Sequence, residues 1–229
     1  MLRYLNKLIN FFFNKKLILK NTSPFSLNSN SYMSNLNRRE VKLVFHYDSF
    51  LKTNNLNGSI VECGVASGNS LIFLIKLNEI NQKKRTIYAF DTFEGFPEGS
   101  IHDGEFLKKG RPSYLKYNLE FVKRKLKLNN IDSNKINFIK GIIPSTFSDF
   151  TEEKVSLVNI DLDLYAPIKS SLEFFWPLLE KNGLIMLDEY DMDGDDRKWP
   201  GAKKAIDEFC LENNCQLKTH FSGCKYLRK

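Results

Sequence analysis

The sequence lacks most of the features that would sort it quickly into a class. Its four cysteines, Cys63, Cys210, Cys215 and Cys224, are irregularly spaced over 229 residues. Without Cys-x-x-Cys pairs they form neither a disulfide framework nor a zinc site, and they read as thiols of a reducing cytosol. Cys63 sits inside an apolar run and reads as a small core residue. No uninterrupted stretch of about 18 apolar residues is present, which excludes a membrane-spanning helix. There is no internal repeat and no low-complexity tract. The 34 Lys and Arg outnumber the 27 Asp and Glu, giving +7. These basic residues are scattered, with no aromatic-interleaved stripe, so nucleic acid is not the expected partner.

What remains is an ordinary globular composition, 42% hydrophobic and 27% charged. A chain of this size buries roughly 70% of its unfolded surface, enough for one substantial domain. The first 30 residues stand apart. MLRYLNKLINFFFNKKLILK places Leu2, Leu5, Leu8, Ile9, Phe12 and Phe13 at helical spacing among Arg3, Lys7, Lys15 and Lys16. This basic amphipathic segment suits contact with a membrane surface through residues 1–20, or packing on its own domain or on a second subunit. A polar linker, NTSPFSLNSNS, follows it.

From residue 31 onward, after a helical stretch at 35–51, strand and helix patterns alternate. Apolar strands are expected at 59–63, 86–91, 136–140, 155–160 and 183–188. Helices are expected at about 69–80, 114–128, 168–180 and 202–213. Such alternation defines an α/β fold, a mostly parallel doubly wound sheet with helices on both faces. The last two runs, QLKTH and CKYLR, are separated by Phe-Ser-Gly and read as an antiparallel hairpin.

Two constellations carry the chemistry. At the first strand-to-helix turn, Glu62, Gly64 and Gly68 form Glu-x-Gly-x-x-x-Gly. Glycine serves where the backbone turns sharply or a ligand must approach it, and the next helix presents its N-terminal amides there. An ordinary turn is the plain alternative. Asp91, at the end of the second strand, is placed to accept from ribose hydroxyls. Glu62 adds negative charge, which suits a sulfonium better than a diphosphate and so S-adenosylmethionine better than a dinucleotide.

The second constellation is acidic. NIDLDLY and GLIMLDEY end consecutive strands with Asp161, Asp163, Asp188 and Glu189. In a doubly wound sheet these ends meet in one crevice. Unpaired carboxylates gathered there repel one another until a proton or a cation intervenes. An all-oxygen set points to Mg2+, with Asp161, Asp188 and Glu189 as its ligands. Asp163, on the same face as Asp161, would reach a substrate held at the ion. The nearby DMDGDD fails the EF-hand pattern, with Asp196 at its sixth position and Ala202 at its twelfth, and reads as an acidic lid loop. His102 lies in a loop, where substrate contact and plain solvation both stand. His46 and His220 read as structural. Tyr165 and Tyr190 follow the acidic motifs and either wall the pocket or pack.

The segments VECGVASGNS, FDTFEGFPE, GIIPSTF, NIDLDLYAPIKSSLEFFWPLLEKNGLIMLDEY and GAKKAIDEF together resemble the macrocin O-methyltransferase family. This is the TylF/MycF-like group of class I S-adenosylmethionine-dependent methyltransferases. The resemblance covers residues 31–229 and implies a Rossmann-like, seven-stranded fold ending in an antiparallel hairpin. It implies Mg2+-dependent methylation of a sugar or glycoside hydroxyl; the acceptor itself is not read from the sequence, and a surface-polysaccharide precursor, a nucleotide-linked sugar and a finished glycoside all stand. It implies Asp163 as general base and metal ligation by Asp161, Asp188 and Glu189. Cofactor contacts would fall on Glu62, Gly64, Gly68 and Asp91, with Ser67 and Thr92 beside them. A homodimer is implied too, in the cytoplasm, with the inner membrane face reached only through residues 1–20. The chain departs from the family at Glu189, where Asp is common, and at Ser67 and Asn69, where Arg and Gly are common. Two readings compete: a nicotinamide-dependent sugar dehydrogenase or epimerase, which would not need four converging acids, and a non-catalytic accessory protein docked on a membrane surface.

Overall fold

The computed structural model describes residues 38–105, 107, 116–190 and 199–229, within a unit running from Arg38 to Lys229. The amphipathic segment and linker at 1–30 and the acidic run at 191–196 lie outside the described residues. Seven strands form one sheet: β1 Ser59–Cys63, β2 Ile87–Asp91, β3 Ile136–Lys140, β4 Val155–Ile160, β5 Leu179–Leu187, β6 Lys218–Thr219 and β7 Lys225–Arg228. Their spatial order is β3-β2-β1-β4-β5-β7-β6. The first five strands are parallel, and β7 runs antiparallel between β5 and β6. The helices are α1 Arg38–Thr53, α2 Asn69–Ile80, α3 Leu119–Leu128, α4 Tyr165–Leu178 and α5 Pro200–Glu212. No described helix is long and apolar enough to cross a membrane.

The central strands are sealed on both sides. Every residue of β1 and β4 is buried, as expected where helices cover both faces of a parallel sheet. Side chains alternate between faces along a strand. Val61, Cys63, Val158, Ile160, Ile185 and Leu187 pack in one core with Phe175 of α4 and Ile206 and Phe209 of α5. Ile60, Glu62, Leu157, Asn159 and Met186 therefore point to the opposite face, where α1 and α2 lie.

Three boundaries differ from the sequence expectation. α3 begins at Leu119 rather than near 114, because the Asn118 side chain accepts from the Phe121 amide at 2.9 Å and caps it there. α4 begins at Tyr165, three residues ahead of expectation. The Tyr165 amide donates to Asp103 Oδ1 at 2.8 Å, a partner 62 residues away that no local pattern reveals. β5 begins at Leu179 rather than 183; Leu179 is buried and pairs with Val155 across a register irregularity. The partly exposed stretch Glu180 to Asn182 disguises this start as a loop.

Candidate active site

The sheet register builds the site. Cys63 of β1 is level with Phe90 of β2 and Ile160 of β4, and Ile160 is level with Leu187 of β5. The next residue of each strand is therefore Gly64, Asp91, Asp161 or Asp188, one row along the carboxyl edge. The strand order reverses between β1 and β4, where open α/β sheets bind ligands. A cleft of about 280 Å³ opens there, lined among others by Gly64, Asp91, Thr92, Phe96, Ile142 and Asp161.

On the glycine side the loop after β1 turns through left-handed backbone at Gly64 (φ 92°), Ala66 (φ 44°) and Gly68 (φ 75°). A Cβ on Gly64 would lie 1.8 Å from the Asp161 carbonyl oxygen, so only glycine lets β1 and β4 deliver their tips side by side. Asp91 holds this loop. Its Oδ2 accepts from the amides of Val65 (2.7 Å) and Ala66 (2.9 Å), and its Oδ1 from that of Phe93 (2.7 Å). Thr92 closes the following turn by donating to the Gly95 carbonyl at 2.5 Å. The Ser67 carbonyl is held by Lys125 of α3 at 2.8 Å.

Of the six residues expected at the cofactor, Gly64, Asp91 and Thr92 line the cleft, while Glu62, Ser67 and Gly68 are not part of its lining. Glu62 is fully buried. Its Oε1 accepts from Ser70 and, at 3.3 Å, from Asn159. Its Oε2 is buried with no hydrogen-bond partner. Burial pushes the Glu62 carboxyl up to about 8, against the lesser opposing pull of Ser70. At neutral pH it is chiefly protonated, so the negative charge expected of it is not what it presents.

On the acidic side, donor oxygens of Asp161, Asp163 and Glu189 lie within 4.8 Å of one another. Asp161 is half-buried and the other two are buried. Asp163 adopts left-handed backbone (φ 62°), uncommon away from glycine and tolerated by Asp. Glu189 Oε2 is buried with no hydrogen-bond partner. Burial raises the Asp161 carboxyl to about 7, assisted by repulsion from Asp188 and opposed by Lys42. Burial, then repulsion from Asp188, Asp161 and Asp163, raises Glu189 well above the carboxylate range. Asp188 is arranged differently from expectation: it is salt-bridged to Lys42 of α1 and stands outside the tight trio, which takes in Asp163 instead. A divalent ion fits these residues. They offer hard oxygen donors only, and a buried unpartnered carboxylate oxygen is satisfied by a cation.

Lys42 and Asp103 were not singled out from the sequence. Lys42 precedes Phe45, His46 and Ser49, all buried, at spacings of three, four and seven, but two of the three are polar, so no apolar stripe marked the face on which the lysine lies. Asp103 joins Ser100, Tyr165 and the start of α5, where a Cβ on Gly201 would meet its Oδ1 at 2.0 Å. Tyr165 and Lys169 have the Tyr-x-x-x-Lys spacing used by some nicotinamide enzymes. Both are engaged by Glu208 of α5, at 2.6 and 3.3 Å. Tyr190 likewise donates to Asp207 at 2.7 Å. The His102 ring packs on Tyr165 at 4.5 Å. His46 and His220 are buried and hydrogen-bonded within the fold, to the Lys42 carbonyl and to Asp48.

A seven-stranded sheet with an antiparallel end strand, a glycine turn after β1 and acids at the tips of β4 and β5 defines a Rossmann-like fold of the class I methyltransferase type. Solved structures share it. The O-methyltransferase NovP superposes with a TM-score of 0.71 at 22% identity, over 82% of this chain and 79% of that one. A calicheamicin methyltransferase gives 0.65 at 22% identity, over 99% and 91%. The profile of the macrocin O-methyltransferase family (TylF) matches residues 37–220, and the chain belongs to that family. Among curated relatives, the demethyldecarbamoylnovobiocin O-methyltransferase of Streptomyces niveus is 25% identical over 163 residues, 68% of this chain and 59% of the relative. A rhamnosyl-tetracenomycin-C 4′-O-methyltransferase of Streptomyces olivaceus is 28% identical over 59% of this chain and 54% of the relative. The mycinamicin III 3″-O-methyltransferase of Micromonospora griseorubida is 23% identical over 66% and 60%. This chain thus spans between half and two thirds of each relative's length.

Proposed function

We propose that the chain transfers a methyl group from S-adenosylmethionine to a hydroxyl of a sugar or glycoside, assisted by Mg2+ at the acidic trio. The observation that carries this reading is that the cleft lined by Gly64, Asp91 and Thr92 also reaches Asp161. A donor on the glycine side and an acceptor on the acidic side then meet in one crevice. Family membership supports it. So do the relatives' names, of which one specifies a rhamnosyl acceptor and a structural neighbour's specifies TDP-rhamnose.

S-adenosylmethionine supplies a methyl group on a sulfonium, an electrophile that needs no activation by the protein. Gly64 and the Asp91-clamped loop would hold its nucleoside, with Phe96 and Ile142 as apolar walls. Asp161 and Glu189 would hold the ion, with Asp188 in reach through Lys42. When bound, the ion supplies electrostatic stabilisation of negative charge developing on the acceptor oxygen. Asp163 accepts the hydroxyl proton as the oxygen–methyl bond forms and the sulfur–methyl bond breaks; such assistance contributes about 10²–10⁴-fold. The left-handed backbone at Asp163 fixes its carboxyl beside Asp161 before substrate arrives, the proximity term.

The acceptor class includes natural-product glycosides and the surface-polysaccharide precursors named from the sequence. Labelled methyl donor with the cell's own extract, followed by identification of the labelled product, separates the two. Calorimetry with S-adenosylmethionine, with and without Mg2+, tests the core reading. Donor binding is expected; NAD binding in its place would favour the dehydrogenase. Binding to anionic vesicles with no donor affinity would favour the accessory protein. Dimerisation and membrane contact through residues 1–20 belong to the same proposal, and sedimentation and vesicle flotation of the full chain read them.

A further inference from the structure

The acidic pocket already contains a cation of the protein's own. Lys42 reaches from α1 to Asp188 at the tip of β5, 146 residues away in sequence. Its side chain is about one quarter exposed and that of Asp188 hardly at all, at 24% and 7%. The ammonium is therefore held by an acid of the same pocket that would hold a divalent ion. Asp188 leads directly into Glu189, whose Oε2 is buried without a partner.

We infer that Lys42 is a positioning residue that competes with the divalent ion for Asp188, and so sets how tightly the pocket holds metal. With Lys42 engaged, Asp188 is neutralised and Asp161 and Glu189 face the ion alone, with Asp163 left to the acceptor hydroxyl. With the ion bound, the ammonium is pushed off Asp188 by like-charge repulsion, and Asp188 turns toward the metal as a third carboxylate. Two consequences follow. The ion is bound more weakly than three uncontested carboxylates would bind it, which keeps its coordination open to substrate oxygens. The ion-free pocket is also kept from the full repulsion of clustered acids. The inference rests on reading the pocket as a divalent-ion site.

The test is titration of the full chain with Mg2+ alone, in wild type, Lys42→Gln and Lys42→Arg. Removing a positive charge at contact distance from the ion's ligands is expected to tighten Mg2+ binding about tenfold or more. Lys42→Arg keeps the charge and should stay within about threefold of wild type. The ion-free melting temperature of Lys42→Gln should fall while its Mg2+-induced rise grows, a readout independent of turnover. Because Lys42→Gln is at risk of not folding, amine labelling of wild type read by mass spectrometry gives a second measurement, with Mg2+ raising modification at Lys42. Unchanged or weaker Mg2+ binding in a folded Lys42→Gln, or labelling of Lys42 unaffected by a saturating ion, overturns this inference and leaves the ion site intact. No Mg2+ binding by wild type or by Lys42→Gln overturns both.

Discussion

The two ends of the sheet handle buried charge in opposite ways. At the amino end, one buried cation is held through a single nitrogen, Arg85 Nη1, while its Nε and Nη2 are buried without a hydrogen-bond partner. Arg85 Nη1 donates to the Thr53 carbonyl at 3.0 Å and to Ser156 Oγ at 2.9 Å, and the guanidinium lies 4.5 Å from the Phe50 ring. Ser156 Oγ in turn donates a hydrogen bond to the Gly58 carbonyl at 2.6 Å. At the carboxyl end, carboxyl groups outnumber the lysine that meets them among the described residues. Asp161, Asp163, Asp188 and Glu189 share a pocket with Lys42. The first arrangement ties α1, β1, β2 and β4 together and serves the fold. The second is costly in the empty protein and is relieved by a ligand, the pattern of a site whose function is maintained against stability.

Substitutions sharpen this contrast. The largest effect is expected from Asp163→Asn, which keeps a side chain suited to left-handed backbone but cannot take a proton. Methyl transfer should fall about 10²–10⁴-fold with donor affinity and melting temperature near wild type; a near-wild-type rate removes Asp163 as the base. At the other pole, Arg85→Ala should cost about 3 kcal/mol of stability, read by denaturant unfolding. The rate per folded molecule should be unchanged. If turnover fell as well, the division of labour between the poles would be wrong.

The third effect depends on pH. Glu62 is raised from 4.5 to about 8 by burial, so the folded protein binds its proton more tightly than the unfolded chain does. The stability it contributes is fully present below about 4.5 and is lost as pH rises through about 8. The ligand-free protein should therefore lose stability between pH 5 and pH 9. Glu62→Gln, a mimic of the protonated acid, should exceed wild type at pH 9 by on the order of 3 kcal/mol and match it near pH 5. Equal pH slopes for the two proteins would show that Glu62 ionises freely. The smallest effect is expected from Tyr165→Phe. Its hydroxyl meets Glu208 at the surface of α5 rather than the cleft. The melting temperature should shift by no more than about 1 °C, with the rate unchanged. A loss of rate would place Tyr165 at the substrate.

Much of this was legible in the chain. Apolar runs such as VSLVNI and SIVEC give buried parallel strands because both faces are covered. The acids that follow VSLVNI and GLIML mark strand tips because an unpaired charge is costly within such runs. The resemblance to the macrocin O-methyltransferase family, carried by VECGVASGNS and DLDLY, agrees with the family match. What was not legible depends on distant partners. Asp91 looked available to a ligand, yet its carboxylate already holds three backbone amides, an arrangement that exists only once β1 and β2 are side by side. Asp188 looked equivalent to Asp161 until α1 brought Lys42 against it. Glu62 looked like a charge because sequence does not disclose how completely it is enclosed.

The contact between Gly64 and the Asp161 carbonyl has a consequence of its own. Backbone here abuts backbone, with no side chain between to give way. Any ligand that reshapes the loop after β1 must displace the tip of β4, carrying Asp161 and then Asp163 with it. The two halves of the crevice are geared to each other, so the order in which donor and ion arrive should leave a trace in the affinity measured for the second.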